Sequence, residues 1–358
     1  MKLTDQFEFI KGKPARNRIV MPPMDTLMAN DGFANEFHIQ HYGARSYGGT
    51  GTIIIESTAV AENGRIRAKD LGLWKDEHIE PFKRIVKAIK MGGALAGVQL
   101  NHAGAKAELD IPTVGVTKYY DYLDQTKFSL LTIEQLATIK TSFVNAAKRA
   151  KIAGFDFIEL HAAHGYLLSE ILSKNINQVT NDQDILKRAK IIIEIVDEIS
   201  KEVKIPIGIR LSISDHSKGG MEVEDFIALL KALENKVIYF HISSGEVINR
   251  PDIAKVIKEA GTKLFRIPLA LKVKAAVSTP VIVVGNFASR KDVDDACSLG
   301  IDGVAIGREQ LFNPNIVVNS LLTANEIDEK LYHWNNNIWF NYKNYKILKD
   351  QLDNKKED

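Results

Sequence analysis

Two histidines and a tyrosine, His161, His164 and Tyr166, fall within one short stretch, FDFIELHAAHGY, residues 155–166. Imidazole and phenol hold an oxygen and move a proton near neutral pH. In an extended strand, residues three apart face opposite sides, so His161 and His164 converge only if the chain turns after His161. Arg210 stands inside the apolar run IGIRLS, where a buried guanidinium requires an anion or several acceptors. Two glycine pairs, Gly285–Asn286 and Gly307–Arg308, read either as turns or as backbone cradles for a phosphate with an arginine beside it. Gln99, Ser57 and Met24 offer amide, hydroxyl and apolar contacts suited to a flat heterocycle, although Gln99 could equally satisfy nearby backbone. Pro22–Pro23–Met24–Asp25 closes the first apolar run.

These residues share a position in the chain's rhythm. Near-continuous apolar runs at Arg18–Met24, Thr50–Val60, Ala94–Leu100, Phe155–His161, Ile205–Ser214, Val237–Gly245, Pro280–Asn286 and Ile301–Gly307 read as strands covered on both faces. Helical spacing fills the intervals at Pro81–Met91, Ile133–Ala153, Ile185–Ser200, Val223–Leu233 and Ser289–Leu299. Gly92, Gly154 and Gly300 stand where helix C-caps favour positive φ. Eight strand–helix units predict a (β/α)8 TIM barrel, whose active site lies at the strand C-terminal ends. Every candidate above sits at or beside such an end. A doubly wound sheet is the runner-up, but no G-x-G-x-x-G follows a strand.

Met1–Lys13 reads as a hairpin plugging the barrel bottom. Three regions exceed a bare barrel: Lys106–Leu131, the polar loop Asn175–Asp184, and an aromatic, basic tail with Tyr332, Trp334, Trp339, Phe340, Tyr342 and Tyr345. The expected division is a barrel over residues 1–325 and an extension over 326–358.

Composition narrows the function. A chain of 358 residues, 45% hydrophobic and 26% charged, suits a globular protein with a sizeable core. A formal net charge of +2 provides no basic face for nucleic acid or a membrane surface. One cysteine, Cys297, excludes an iron–sulfur or zinc site built from four cysteines of this chain. With no apolar signal segment, the expected location is cytoplasmic and the expected partner a small-molecule substrate.

At these residues the sequence resembles the Old Yellow Enzyme family of FMN-dependent ene-reductases, and most its bacterial YqjM-type branch. The likeness rests on NRIVMPPM, IIIESTAV, LGLWKDEHIEPF, VQLNHAGAKAEL, GFDFIELHAAHGYLLSEIL, IGIRLSISD and DGVAIGREQLFNP, from about Asn17 to Pro314. It implies FMN at the C-terminal face of a TIM barrel, with NADPH or NADH as transient reductant. By that resemblance Pro22, Pro23, Met24 and Asp25 contact the flavin near N5 and O4. Ser57 lies beside the ring, Gln99 meets the pyrimidine edge and Arg210 lies by N1 and O2. Gly307, Arg308, Gly285 and Asn286 surround the phosphate. His161 and His164 bind the carbonyl or nitro oxygen of an activated alkene, and Tyr166 donates the proton. Relatives of this kind form dimers or tetramers.

Four departures stand out. Asp25 replaces cysteine or threonine. Leu27 replaces a substrate-binding tyrosine, Ala105 an arginine, and Asn175–Asp184 lacks the family's loop pattern. They leave open a redox-altered or non-catalytic flavin-binding member of the family. A 2,4-dienoyl-CoA reductase-like enzyme ranks lower, since one cysteine cannot ligate its cluster. A metal-dependent hydrolase ranks last, because Arg210 would repel the cation.

Overall fold

Strand β1 (Ile19–Met21) pairs in parallel with β2 (Thr52–Ala59) on one side and β8 (Gly303–Ala305) on the other, and that double pairing closes a barrel. Around it run β3 (Leu95–Asn101), β4 (Phe157–Ala162), β5 (Ile207–Ser212), β6 (Tyr239–Ser243) and β7 (Val281–Val284), each parallel to its neighbours. The computed structural model describes residues 1–117, 128–245, 251–333 and 336–354. Each predicted strand is found, trimmed at its ends, and the (β/α)8 architecture follows.

The helices obey their local signals. Ile133–Ala153 and Arg290–Ser298 both begin in capping boxes, from Thr132 with Gln135 and from Ser289 with Asp292. The predicted helix Ile185–Ser200 is divided at Ala189 into Ile185–Arg188 and Lys190–Glu198, followed by a widened turn, Ile199–Val203. Gly154 (φ +92°) and Gly300 (φ +96°) adopt the left-handed conformation expected of them. Gly92 does not, with φ −79°; its neighbour Gly93 carries the positive φ, at +88°.

The strand interiors correct one expectation. Above the barrel floor, β3 to β6 are not uniformly apolar but alternate. Ile158, Leu160, Ile209, Leu211, Phe240 and Ile242 face the helices and join the main core. Phe157 and Tyr239 point inward, where Phe9 from the N-terminal hairpin (Phe7–Ile10 with Lys13–Ala15) meets both rings edge-on at 5.5 Å. That aromatic plug is the predicted seal of the barrel bottom. Gly97 and Gly208 make room for it, since a Cβ on either would lie 2.2 Å from the Phe157 or Tyr239 ring. By the strand's two-residue period, Gln99, Glu159, His161, Arg210 and His241 also point inward. The barrel therefore passes from an apolar floor to a polar mouth.

Among the regions beyond the barrel, Thr113–Gly115 pairs with Phe128–Leu130. The helix Asn336–Asn354 packs back on the chain through Tyr342, whose hydroxyl donates to Val318 O at 2.6 Å, and Lys346, which donates to Asn319 O at 2.8 Å. Residues 118–127 of the predicted excursion, Trp334 and the charged end at 355–358 lie outside the described residues. No described helix is long and apolar enough to cross a membrane.

Candidate active site

Strand β4 runs one residue beyond His161, and the chain then turns. His164 (φ +61°) and Gly165 (φ +71°) are both left-handed, and Tyr166 N–H closes the turn on Ala163 O at 3.3 Å. Histidine is among the residues that enter that region most readily. The turn gathers the three rings: His161 lies 5.1 Å from His164 and 5.0 Å from Tyr166 between centroids, edge to face in both cases. Three elements hold it there. His164 N–H donates to Ser212 Oγ at 3.0 Å, His164 Nε2 lies 2.8 Å from Ser243 Oγ, and Lys106 Nζ donates to His164 O at 2.7 Å.

Burial, reinforced by Arg210, holds both imidazoles well below their ordinary pKa, so both are neutral near pH 7. Ala163 N–H donates to His161 Nδ1 at 3.3 Å, which leaves the His161 proton on Nε2. That nitrogen is 3.4 Å from His164 Nδ1, a long contact that an incoming oxygen acceptor can replace.

Arg210, opposite His161 in the strand register, also lines a cleft of about 590 Å³ whose wall does not include His161, His164 or Tyr166. That wall contains Pro22, Pro23, Met24, Arg210, Gly285, Asn286, Gly307 and Arg308, so most of the predicted cofactor residues do converge. Gln99 and Ser57 are buried at the ends of β3 and β2 and do not form the wall; Gln99 Nε2 donates to Glu159 Oε1 at 2.8 Å. Asn286 (φ +56°) donates through its amide to Lys263 O at 3.0 Å and accepts from Arg308. Arg45 fixes the adjoining short helix, Arg308–Phe312, by donating to Gln310 O and Leu311 O at 2.9 Å each.

Asp25 lies elsewhere, in an adjoining cleft with Thr26, His41 and Arg45. The Ser57 backbone N–H favours its ionised form. Asp25 is an exposed residue, yet the protein packed round its carboxyl pushes the pKa up to about 7, with Asp70 and Glu56 adding repulsion. Solvent at the open face screens part of that effect. Glu56 is buried and is likewise pushed up to about 7 by burial, against hydrogen bonds from Tyr42 (2.6 Å) and Thr26. Leu27 is half-buried with an unusual φ of +57°. Ala105 is explained by packing. A Cβ on Gly115 of the added strand would already come within 2.7 Å of the Ala105 methyl, so no longer side chain fits under that strand. The altered loop is tied down by Asn177, which donates to Ile171 O at 2.7 Å, and by Arg188, which donates to Asp182 O at 2.8 Å.

The sequence pattern of the NADH:flavin oxidoreductase / NADH oxidase family matches residues 8–321. The chain belongs to that family. An NADPH dehydrogenase of Listeria welshimeri is 34% identical over 334 residues, covering 92% of this chain and 96% of the relative. One from Halalkalibacterium halodurans is 36% identical over 312 residues, covering 85% and 90%. The solved structure of morphinone reductase superposes with a TM-score of 0.71 at 24% identity, over 88% of this chain and 87% of that one, and shares the fold. The protein is thus an NAD(P)H-dependent flavin oxidoreductase, and its cofactor is FMN.

The residues at the cleft suit that cofactor. Arg308, Lys263 and Arg266 place cationic side chains in its wall beside Gly285 and Gly307. A Cβ on Gly307 would come 3.2 Å from Met24 Sδ, tight enough to press on the Met24 side chain that lines the cleft. Arg210 Nε is buried with no hydrogen-bond partner among the described residues. Lys263, which also pairs with Asp292 at 2.7 Å, and Arg266 were not singled out from the sequence. They lie between predicted elements and carry no periodic signal. Glu159, Ser212 and Ser243 were not assigned roles either, and His241 was weighed only as a metal ligand, though each stands two residues from a flagged position or on a flagged strand end. The two-residue strand period is the signal that would have found them.

Proposed function

We propose that this flavoprotein reduces activated alkenes, those conjugated to a carbonyl or nitro group, with NADPH or NADH as reductant. The observation that carries the reading is the left-handed turn at His164, which sets two neutral imidazoles and a phenol at one point of the barrel mouth. When bound, FMN supplies a two-electron acceptor that takes hydride from the nicotinamide and passes it to the alkene β-carbon.

The chain's own residues do the rest. His161 Nε2–H and His164 hold the substrate oxygen, on which negative charge grows as the β-carbon is reduced. Donors fixed in advance at such an oxygen are worth roughly 10²–10³ in rate each. Tyr166 delivers a proton to the α-carbon, a role worth typically ~10²–10⁴. Lys106 Nζ, 5.9 Å from the Tyr166 ring centroid, places a positive charge near the ring that would carry the phenolate. Pro22, Pro23 and Met24 would line the isoalloxazine, with Gln99 and Ser57 reaching it from the strand ends behind the cleft wall and Asp25 at its border with the adjoining cleft; Arg210 would offset charge at N1 and O2, and Gly285, Asn286, Gly307 and Arg308 would hold the phosphate. Leu27 borders the substrate side. That two relatives are named NADPH dehydrogenase supports NADPH as the reductant.

The test is NADPH-dependent consumption of 2-cyclohexenone. Wild type should turn over, and the His161→Ala/His164→Ala double variant should keep FMN but lose turnover and phenol binding. Retained phenol binding would refute the assigned roles. A second reading, a redox-altered flavoprotein slow with alkenes, draws support from Asp25. If ionised, its carboxylate would oppose the gain of electrons at the ring.

A further inference from the structure

Glu159 is a fully buried carboxylate inside the barrel, two residues below His161 on β4. Its strand register sets it opposite Gln99 on β3 and Gly208 on β5. Oε1 accepts from Gln99 Nε2 at 2.8 Å. Oε2 accepts from the Tyr239 hydroxyl at 3.0 Å and lies 2.8 Å from His241 Nδ1. The missing side chain at Gly208 is what allows Tyr239 to lie across the barrel and reach it.

Burial opposes the Glu159 charge, but the hydrogen bond from His241, the Arg210 guanidinium and the hydrogen bond from Tyr239 outweigh it and hold the carboxyl below its usual range. Burial acts on His241 in the opposite sense and keeps it neutral. The pair is therefore a carboxylate and a neutral imidazole that donates from Nδ1. His241 Nε2 is then an acceptor, buried with no partner among the described residues.

We propose that Glu159 is a positioning residue for the flavin. It fixes which way round the Gln99 amide sits, and its charge subtracts from the field of Arg210 at the pyrimidine edge, keeping the midpoint potential low. This rests on the reading of Gln99 and Arg210 as pyrimidine-edge contacts. Two steps lead to it. With Nε2 committed to an anion, the Gln99 amide cannot flip, so it presents its carbonyl oxygen and one remaining N–H. An anion one strand layer below Arg210, and close enough to interact with its charge, disfavours the electron-rich reduced cofactor, because unit charges separated by one or two strand spacings still interact appreciably in a protein interior.

The experiment is the midpoint potential of the FMN-loaded protein, measured spectroelectrochemically, together with the dissociation constant for oxidised FMN. Glu159→Gln keeps an acceptor for Gln99 and removes the charge. It should favour reduced over oxidised FMN by roughly tenfold, a rise of ~30 mV for a two-electron couple. Tyr239→Phe removes one donor from the carboxylate without changing the plug's volume, and should move the potential the other way. That second variant decides the matter if Glu159→Gln does not fold. Arg210→Gln serves as the reference and should lower the potential. If Arg210→Gln lowers it while Glu159→Gln shifts the ratio by less than about twofold (~9 mV), the Glu159 proposal is overturned. If Arg210→Gln also leaves it unmoved, the pyrimidine-edge reading fails with it.

Discussion

Replacing His164 separates two demands on one residue: an imidazole beside Ser243 and a backbone at φ +61°. His164→Ala removes a donor to the substrate oxygen. A hydrogen bond to a charged acceptor is worth about 1.5–3 kcal/mol, so a phenolate ligand should bind roughly 10- to 150-fold more weakly. Turnover should fall by about 10²–10³, as for loss of one oxyanion donor. Alanine is also strained in the left-handed region, by roughly 1–2 kcal/mol. His164→Gly relieves the strain without restoring the donor, whereas His164→Asn tolerates the backbone and returns one N–H. The expected order of melting temperature is Asn and Gly above Ala. The expected order of phenol affinity is wild type, then Asn, then Ala and Gly together. Phenol binding is read from the change it makes in the flavin's visible absorbance, and stability from thermal unfolding. Alanine binding phenol within twofold of wild type would refute the placement of His164 at the substrate oxygen.

Other positions give independent tests. Gly208→Ala should destabilise by about 1–3 kcal/mol or more, seen in denaturant unfolding, because its methyl would lie 2.2 Å from the Tyr239 ring. Gly307 has φ −93° and ψ −89°, just beyond the helical region, so Gly307→Ala should fold with only a small loss of stability. Its FMN should nevertheless bind at least ~10-fold more weakly by fluorescence titration, since the methyl meets Met24 Sδ at 3.2 Å. The Glu56 carboxyl is raised in the folded state to about 7 from 4.5. Its contribution to stability is therefore full below about 4.5 and lost as pH rises through about 7, on the order of 3 kcal/mol. Glu56→Gln should flatten the melting temperature between pH 5 and 8; an equally steep profile in the variant would contradict the assignment.

The barrel was legible because its signal is carried by outward-facing residues. Ile158, Leu160, Ile209 and Leu211 pack against helices whatever the barrel encloses, and they recur at the spacing of eight strand–helix units. The inward face was harder to read. Phe157, Glu159 and His161 alternate with that apolar set, but a run containing Phe and Ile on both faces looks uniformly buried. The alternation at Glu159 and His241 was thus hidden within an apparently continuous run. His161, His164 and Tyr166 were visible as a cluster, and the required turn was deducible from strand geometry. Its left-handed residue was not, since Gly165 was the obvious candidate and His164 shares the role. Lys263 and Arg266 depend on segments distant in sequence meeting at the barrel rim. No local pattern encodes such a meeting. Asp25 was conspicuous by type, and its place in the adjoining cleft with Thr26, His41 and Arg45 became known only with the fold.

The central claim is that the cleft lined by Arg210 holds FMN and passes hydride from NAD(P)H to an activated alkene. Its most direct test is an anaerobic titration of the purified, FMN-loaded protein with NADPH, followed by 2-cyclohexenone. The account predicts that the visible flavin absorbance bleaches on adding NADPH and returns on adding the enone. Bleaching without recovery would contradict the alkene as oxidant, and a flavin that NADPH leaves oxidised would contradict the claim itself.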